Sequence, residues 1–154
     1  MVWQRLRRLY KAFIPARAEP DDTWALTELS PEEVHLYKAM DVRDREHAVQ
    51  VAKRSLERYP DAPGFAVRAA LLHDCGKARR PYRPLERILT GLIRLDVPIE
   101  PLSKGLRGAW QIHQHHPEYG AMRILEPQVA QIVREHHKPV SLWARRLFEV
   151  DEEF

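Results

Sequence analysis

The sequence predicts a single all-α domain, and three observations carry that prediction. Apolar residues recur at three- and four-residue spacing from end to end while strict alternation is scarce, which is the pattern of helices buried along one face. Twelve prolines punctuate the chain at intervals that cut it into short helical lengths, roughly seven to nine of them. The 154 residues fit one core, since a domain of about 150 residues buries roughly 68–70% of the surface its unfolded chain exposes.

Taken in order, residues 2–13 read as an amphipathic basic helix, with Trp3, Leu6, Leu9, Tyr10 and Phe13 against Arg5, Arg7, Arg8 and Lys11. A linker over 14–27, containing Pro15, Pro20, Asp21 and Asp22, separates it from the rest, so that 1–27 forms an N-terminal appendage and 28–154 the domain. Ser30-Pro31-Glu32-Glu33 combines an N-cap serine, a proline at the first helical position and a glutamate three residues after the cap, and predicts a helix to about Met40. From Arg43 to Tyr59, Ala48, Val51, Ala52, Leu56 and Tyr59 form an apolar stripe, and His47 lies one turn before Val51 on that side. Pro60 and Pro63-Gly64 end that helix. Phe65 to Leu72 is apolar except for Arg68, as in a helix covered on most sides, and it delivers His73 and Asp74. Gly76 is the expected left-handed stop, with Pro81 and Pro84 preventing continuation. Further helices are predicted over about 84–95, 104–114, 117–125, 127–137 and 140–150.

Composition excludes several classes. No apolar run approaches the roughly 18–20 residues of a bilayer span, and arginines interrupt the N-terminal apolar residues, so neither a membrane span nor an export signal is expected and the cytoplasm is the expected compartment. Contact of residues 1–14 with a membrane surface is the lesser reading beside a docked helix. A net charge of +3, from 25 basic and 22 acidic residues, is too balanced to indicate specific nucleic-acid binding. The single cysteine, Cys75, cannot form an internal disulfide and reads as a small apolar residue beneath His73 and Asp74.

A lone histidine is usually a space-filler, but here the histidines fall in a set. His47 comes from one helix, His73 and Asp74 from the end of the next, His116 from the start of a later one, and His136 and His137 from another helix end. Neutral imidazole nitrogen and ionised carboxylate oxygen suit iron, manganese, zinc, nickel and similar divalent ions, and no single helix can supply them all. His113 and His115 compete with His116 in the same stretch, and His35 reads as structural.

The ordered series His47, His73-Asp74, Lys77, His116-Pro117-Glu118-Tyr119-Gly120-Ala121, His136-His137 resembles the HD superfamily of metal-dependent phosphohydrolases, and within it the core of the HD-GYP and HDIG-type domains, over about residues 43–151. The resemblance implies a helical fold with one or two divalent transition-metal ions on its axis. It implies that His47, His73, Asp74 and a late aspartate, Asp151, hold one ion, with Glu149 and Glu152 as alternatives to Asp151. Asp74 would bridge to a second ion held by His116 and His136, with His137 a further ligand or a neighbour of one. Lys77 takes the place of the family lysine that neutralises phosphate, and Arg79, Arg80 and Arg83 follow on a proline-bounded loop where they can add phosphate contacts. No Asp-Gly-x-Gly-Tyr-Pro segment follows His137, which removes the sequence reason for naming cyclic di-GMP, and Arg43 stands where some relatives place an acidic ligand for a third ion. The activity implied is hydrolysis of a phosphomonoester or phosphodiester, a nucleotide or other small phosphorylated substrate, by metal-activated water, with Asp74 and Lys77 catalytic. A di-iron oxygenase and a non-catalytic nucleotide- or metal-binding module are the alternatives.

Overall fold

The computed structural model describes residues 18–154. The basic helix expected over 2–13 lies outside them. Eight α-helices make up the described fold: α1 Asp22–Glu28, α2 Pro31–Lys38, α3 Val42–Arg58, α4 Gly64–Leu72, α5 Pro84–Leu92, α6 Gly105–Ala121, α7 Pro127–Glu135 and α8 Leu142–Asp151, with a 3₁₀ turn at Cys75–Arg79 after α4. The described residues contain no strand, and no helix among them is long and apolar enough to cross a membrane.

Local chemistry sets the first boundaries. Asp21 accepts from the Trp24 backbone N–H and starts α1 inside the stretch expected to be an irregular linker. Asp and Asn side chains serve turns and helix caps by the same hydrogen bond, and here the cap prevails. Ser30 and Glu33 close the anticipated capping box on α2, at 3.4 and 3.0 Å. Asp41 caps α3 by accepting from the Arg43 N–H.

The buried face of α3 carries Asp44, Ala48, Val51 and Ala52, and α4 is buried at Val67 and from Ala69 through Leu72. Helix α4 is the centre of the molecule, packed between α3 and α7, with α1, α2 and α8 completing its cover. The core runs through Leu71, Leu72, Val129 and Val133 to Leu147 and Val150 on α8.

Two expectations about chain breaks fail for packing reasons. Gly76 does not adopt a positive φ; Gly105, at φ +68°, is the described glycine that does. A β-carbon on Gly76 would overlap the His116 carbonyl and come within 2.7 Å of the Gly120 nitrogen, so glycine is there to let the 3₁₀ turn lie against α6. Pro117, expected to separate two helices, sits inside one continuous helix, α6. An interior proline leaves the carbonyl four residues earlier without its N–H partner. That carbonyl belongs to His113, and the His116 ring Nδ1 lies 3.2 Å from it. His116 therefore projects from the middle of a helix, not from its start. Helix α5 is also shorter than expected, ending at Leu92.

Candidate metal centre

His73 and Asp74 leave the end of α4 in its buried centre, where His116 of α6 and His136, the C-cap of α7, converge on them. Exposure is 1% for His73, 3% for Asp74, 2% for His116 and 1% for His136, so these groups have lost their water. His47 approaches from α3 and Asp151 from the last turn of α8, joined by a 2.8 Å hydrogen bond from His47 Nε2 to Asp151 Oδ1. Neighbouring imidazoles form an arc: ring centroids are 5.3 Å apart for His47 and His73, 5.2 Å for His73 and His136, and 5.3 Å for His136 and His116. His137, at the exposed edge, lies 4.7 Å from the His116 ring.

Backbone carbonyls choose the tautomers. His73 Nδ1–H donates to the Ala70 carbonyl at 2.8 Å, His116 Nδ1–H to Ile112 at 3.0 Å and His136 Nδ1–H to Val133 at 2.6 Å. Each neutral ring then carries its lone pair on Nε2. All three Nε2 atoms are buried without a hydrogen-bond partner, although buried polar atoms are ordinarily satisfied. His116 Nε2 lies 3.2 Å from Asp74 Oδ1, and His73 Nε2 lies 3.6 Å from Asp74 Oδ2 and 3.8 Å from Asp151 Oδ1. With the rings neutral, acceptor faces acceptor at these distances, an arrangement that a bound cation would relieve.

Two groups of donor atoms lie close enough to hold an ion each: His47, His73 and Asp151, and His116, His136 and His137, every donor within 4.8 Å of the others in its group. Asp74 stands between the groups, one oxygen toward His73 and the other toward His116. Its donor set, imidazole nitrogen with carboxylate oxygen, fits a divalent transition-metal ion.

The electrostatics keep Asp74, Asp151, His136 and His137 in their ligating forms. Burial pushes the Asp74 carboxyl up, but Lys77 Nζ at 2.6 Å, with His73 and His116, outweighs it and holds the carboxyl well below its ordinary range. Burial likewise raises Asp151, and the His47 hydrogen bond with the nearby His73 brings it back below that range. Burial, then the adjacent His73 and His116, drives His136 well below the usual imidazole value; at His137, whose edge meets solvent, the protein packed around the rest of the ring and the neighbouring His116 bring the value down to about 3. The Cys75 thiol is fully buried and pushed up to about 12 by that burial, so it packs beneath the site as a neutral group.

The remaining sequence candidates lie outside the two donor groups. His115 Nε2 donates to the Val97 carbonyl at 2.7 Å, His113 lies 3.4 Å from the Tyr82 hydroxyl, and His35 is exposed on α2. Of the arginines expected to meet phosphate, Arg79 pairs with Glu100 at 2.6 Å and stacks on Tyr119, and Arg83 is exposed at the start of α5. Arg80 pairs with Glu86 at 2.9 Å and borders a cavity that Lys77 also lines. Sequence reasoning missed Asp44 and Arg87, which form a buried bidentate pair on that cavity at 2.6 and 2.7 Å. Asp44 lies three residues before His47 on the inward face of α3, and that periodicity was the available signal.

The HD domain family matches residues 44–147, about two thirds of the chain, and the chain belongs to that family. It is a superfamily of metal-dependent hydrolase type, and the groups around Asp74 are of the kind that hold its metals. Searches of curated proteins and of solved structures each returned no significant match.

Proposed function

We propose that this protein is a metal-dependent phosphohydrolase that cleaves a nucleotide or another small phosphorylated substrate. The observation that carries the proposal is the set of buried, unpartnered imidazole nitrogens turned on a doubly flanked carboxylate, with a lysine beside it. His47, His73 and Asp151 would hold one divalent ion, His116, His136 and His137 the other, and Asp74 would lie between them. Such ions supply Lewis acidity toward a phosphoryl oxygen and hydroxide near neutral pH.

The chain's own residues do the rest. The carbonyls of Ala70, Ile112 and Val133 fix the histidine tautomers, so each neutral ring turns its Nε2 lone pair to the centre before anything binds. Lys77 lies partly inside, where its charge is less screened than at the surface, and with Asp74 engaged by metal its Nζ would be available to a phosphoryl oxygen.

Phosphate release from a panel of phosphoesters, with manganese, iron or nickel supplied, tests this. Chelation should abolish turnover, and Lys77→Met should lower kcat about 10²–10³-fold, as loss of one transition-state charge contact does. Turnover that survives exhaustive chelation would contradict the proposal.

A further inference from the structure

Beside the centre lies a cavity of about 310 Å³, between the start of α3 and the segment running from the 3₁₀ turn into α5. Lys77 lines it and also reaches Asp74, so a substrate whose phosphoryl group met Lys77 would place its remainder here. Three features of the lining restrict that remainder.

Its cations are already matched. Lys77 faces Asp74, Arg80 faces Glu86, and Arg87 takes both oxygens of Asp44. A second phosphate entering this space would have to strip one of those pairs, and Asp41 on the same wall, itself held by Arg43 at 2.8 Å, brings no unmatched cation. The uncharged lining, including Met40 and Tyr82, suits a ring or sugar face. The volume is at the low end of the roughly 300–1,000 Å³ of small-molecule sites, enough for one group of nucleoside size and too small for two.

We infer that this cavity holds the alcohol half of a phosphomonoester, and that the protein selects monophosphates of a neutral group over di- and triphosphates and dinucleotides. The inference rests on the phosphohydrolase reading for its reaction, but its pocket can be tested by binding alone.

The probes are the hydrolysis-resistant phosphonate analogues of adenosine monophosphate and ribose 5-phosphate and the β,γ-imido analogue of ATP, titrated into manganese-loaded protein by calorimetry. At least one phosphonate should bind tenfold or more tighter than the triphosphate analogue. Ala39→Trp, at an exposed position on the cavity wall outside the proposed ligand and lysine set, should weaken that binding at least tenfold with metal content unchanged. If the adenosine analogue binds more tightly than the ribose analogue, the base is held here; equal binding assigns the sugar, and both support the inference. Equal or tighter binding of the triphosphate analogue, no binding of either phosphonate, or an Ala39→Trp protein that binds like wild type would overturn it. Monophosphates that bind in this way yet are never cleaved would refute the phosphohydrolase reading and leave the pocket standing.

Discussion

Asp44 shows how a single side chain near the centre serves it without being a ligand. Its carboxylate, 5% exposed, fastens α3 to Arg87 of α5, and Arg87 also donates from Nε to the Tyr82 carbonyl and stacks on the Tyr82 ring. Removing one partner of a buried pair leaves the other charge uncompensated, at a cost of about 3–5 kcal/mol. Arg87 keeps part of its side chain in water, so Asp44→Ala should cost about 3 kcal/mol, read as a lower urea midpoint at unchanged slope. A loss below about 1 kcal/mol would show that water already screens the pair. The inward position of Asp44 was legible in the α3 periodicity, as was that of His47. Its partner was not, because 43 residues separate Asp44 from Arg87 and no local pattern records a tertiary ion pair. Lys77, three residues after Asp74, needed only one turn of chain to reach it and was legible for that reason.

At the scale of elements, the sequence marked nearly every helix and misjudged how some begin and end. The rule that proline breaks a helix failed at Pro117 because α6 is held by packing against the 3₁₀ turn and α7, while the His116 ring lies against the carbonyl that proline leaves bare. The rule that glycine stops a helix failed at Gly76 because the demand there is for closeness to α6. That contact places His116 relative to Asp74, so it bears on the centre as well as on stability. A methyl group at Gly76 would meet backbone atoms, which cannot rotate away. Gly76→Ala should therefore destabilise the fold by about 3 kcal/mol, the upper part of the overpacking range, and reduce metal retention, measured by denaturation and by elemental analysis. Wild-type stability in this variant would mean that the turn and helix can part without cost.

Among the described residues, α3, α4, α6, α7 and α8 bring donor atoms together around a buried Asp74, and helix α4 at the centre lets Asp74 face both groups of histidines. The all-α class and the order of site histidines were legible because amphipathic periodicity and short spacing survive in a one-dimensional string. The division of the donors into two groups depends on how helices cross, and only the family resemblance supplied it in advance. The most direct test is the metal content of the purified protein by elemental mass spectrometry, compared with a His73→Ala, Asp74→Ala double variant confirmed to be folded. The wild type should carry one to two transition-metal ions per chain and the variant should lose most of them; a wild type that stays metal-free when manganese, iron, nickel and zinc are supplied, or a folded variant that retains its metal, would contradict the account.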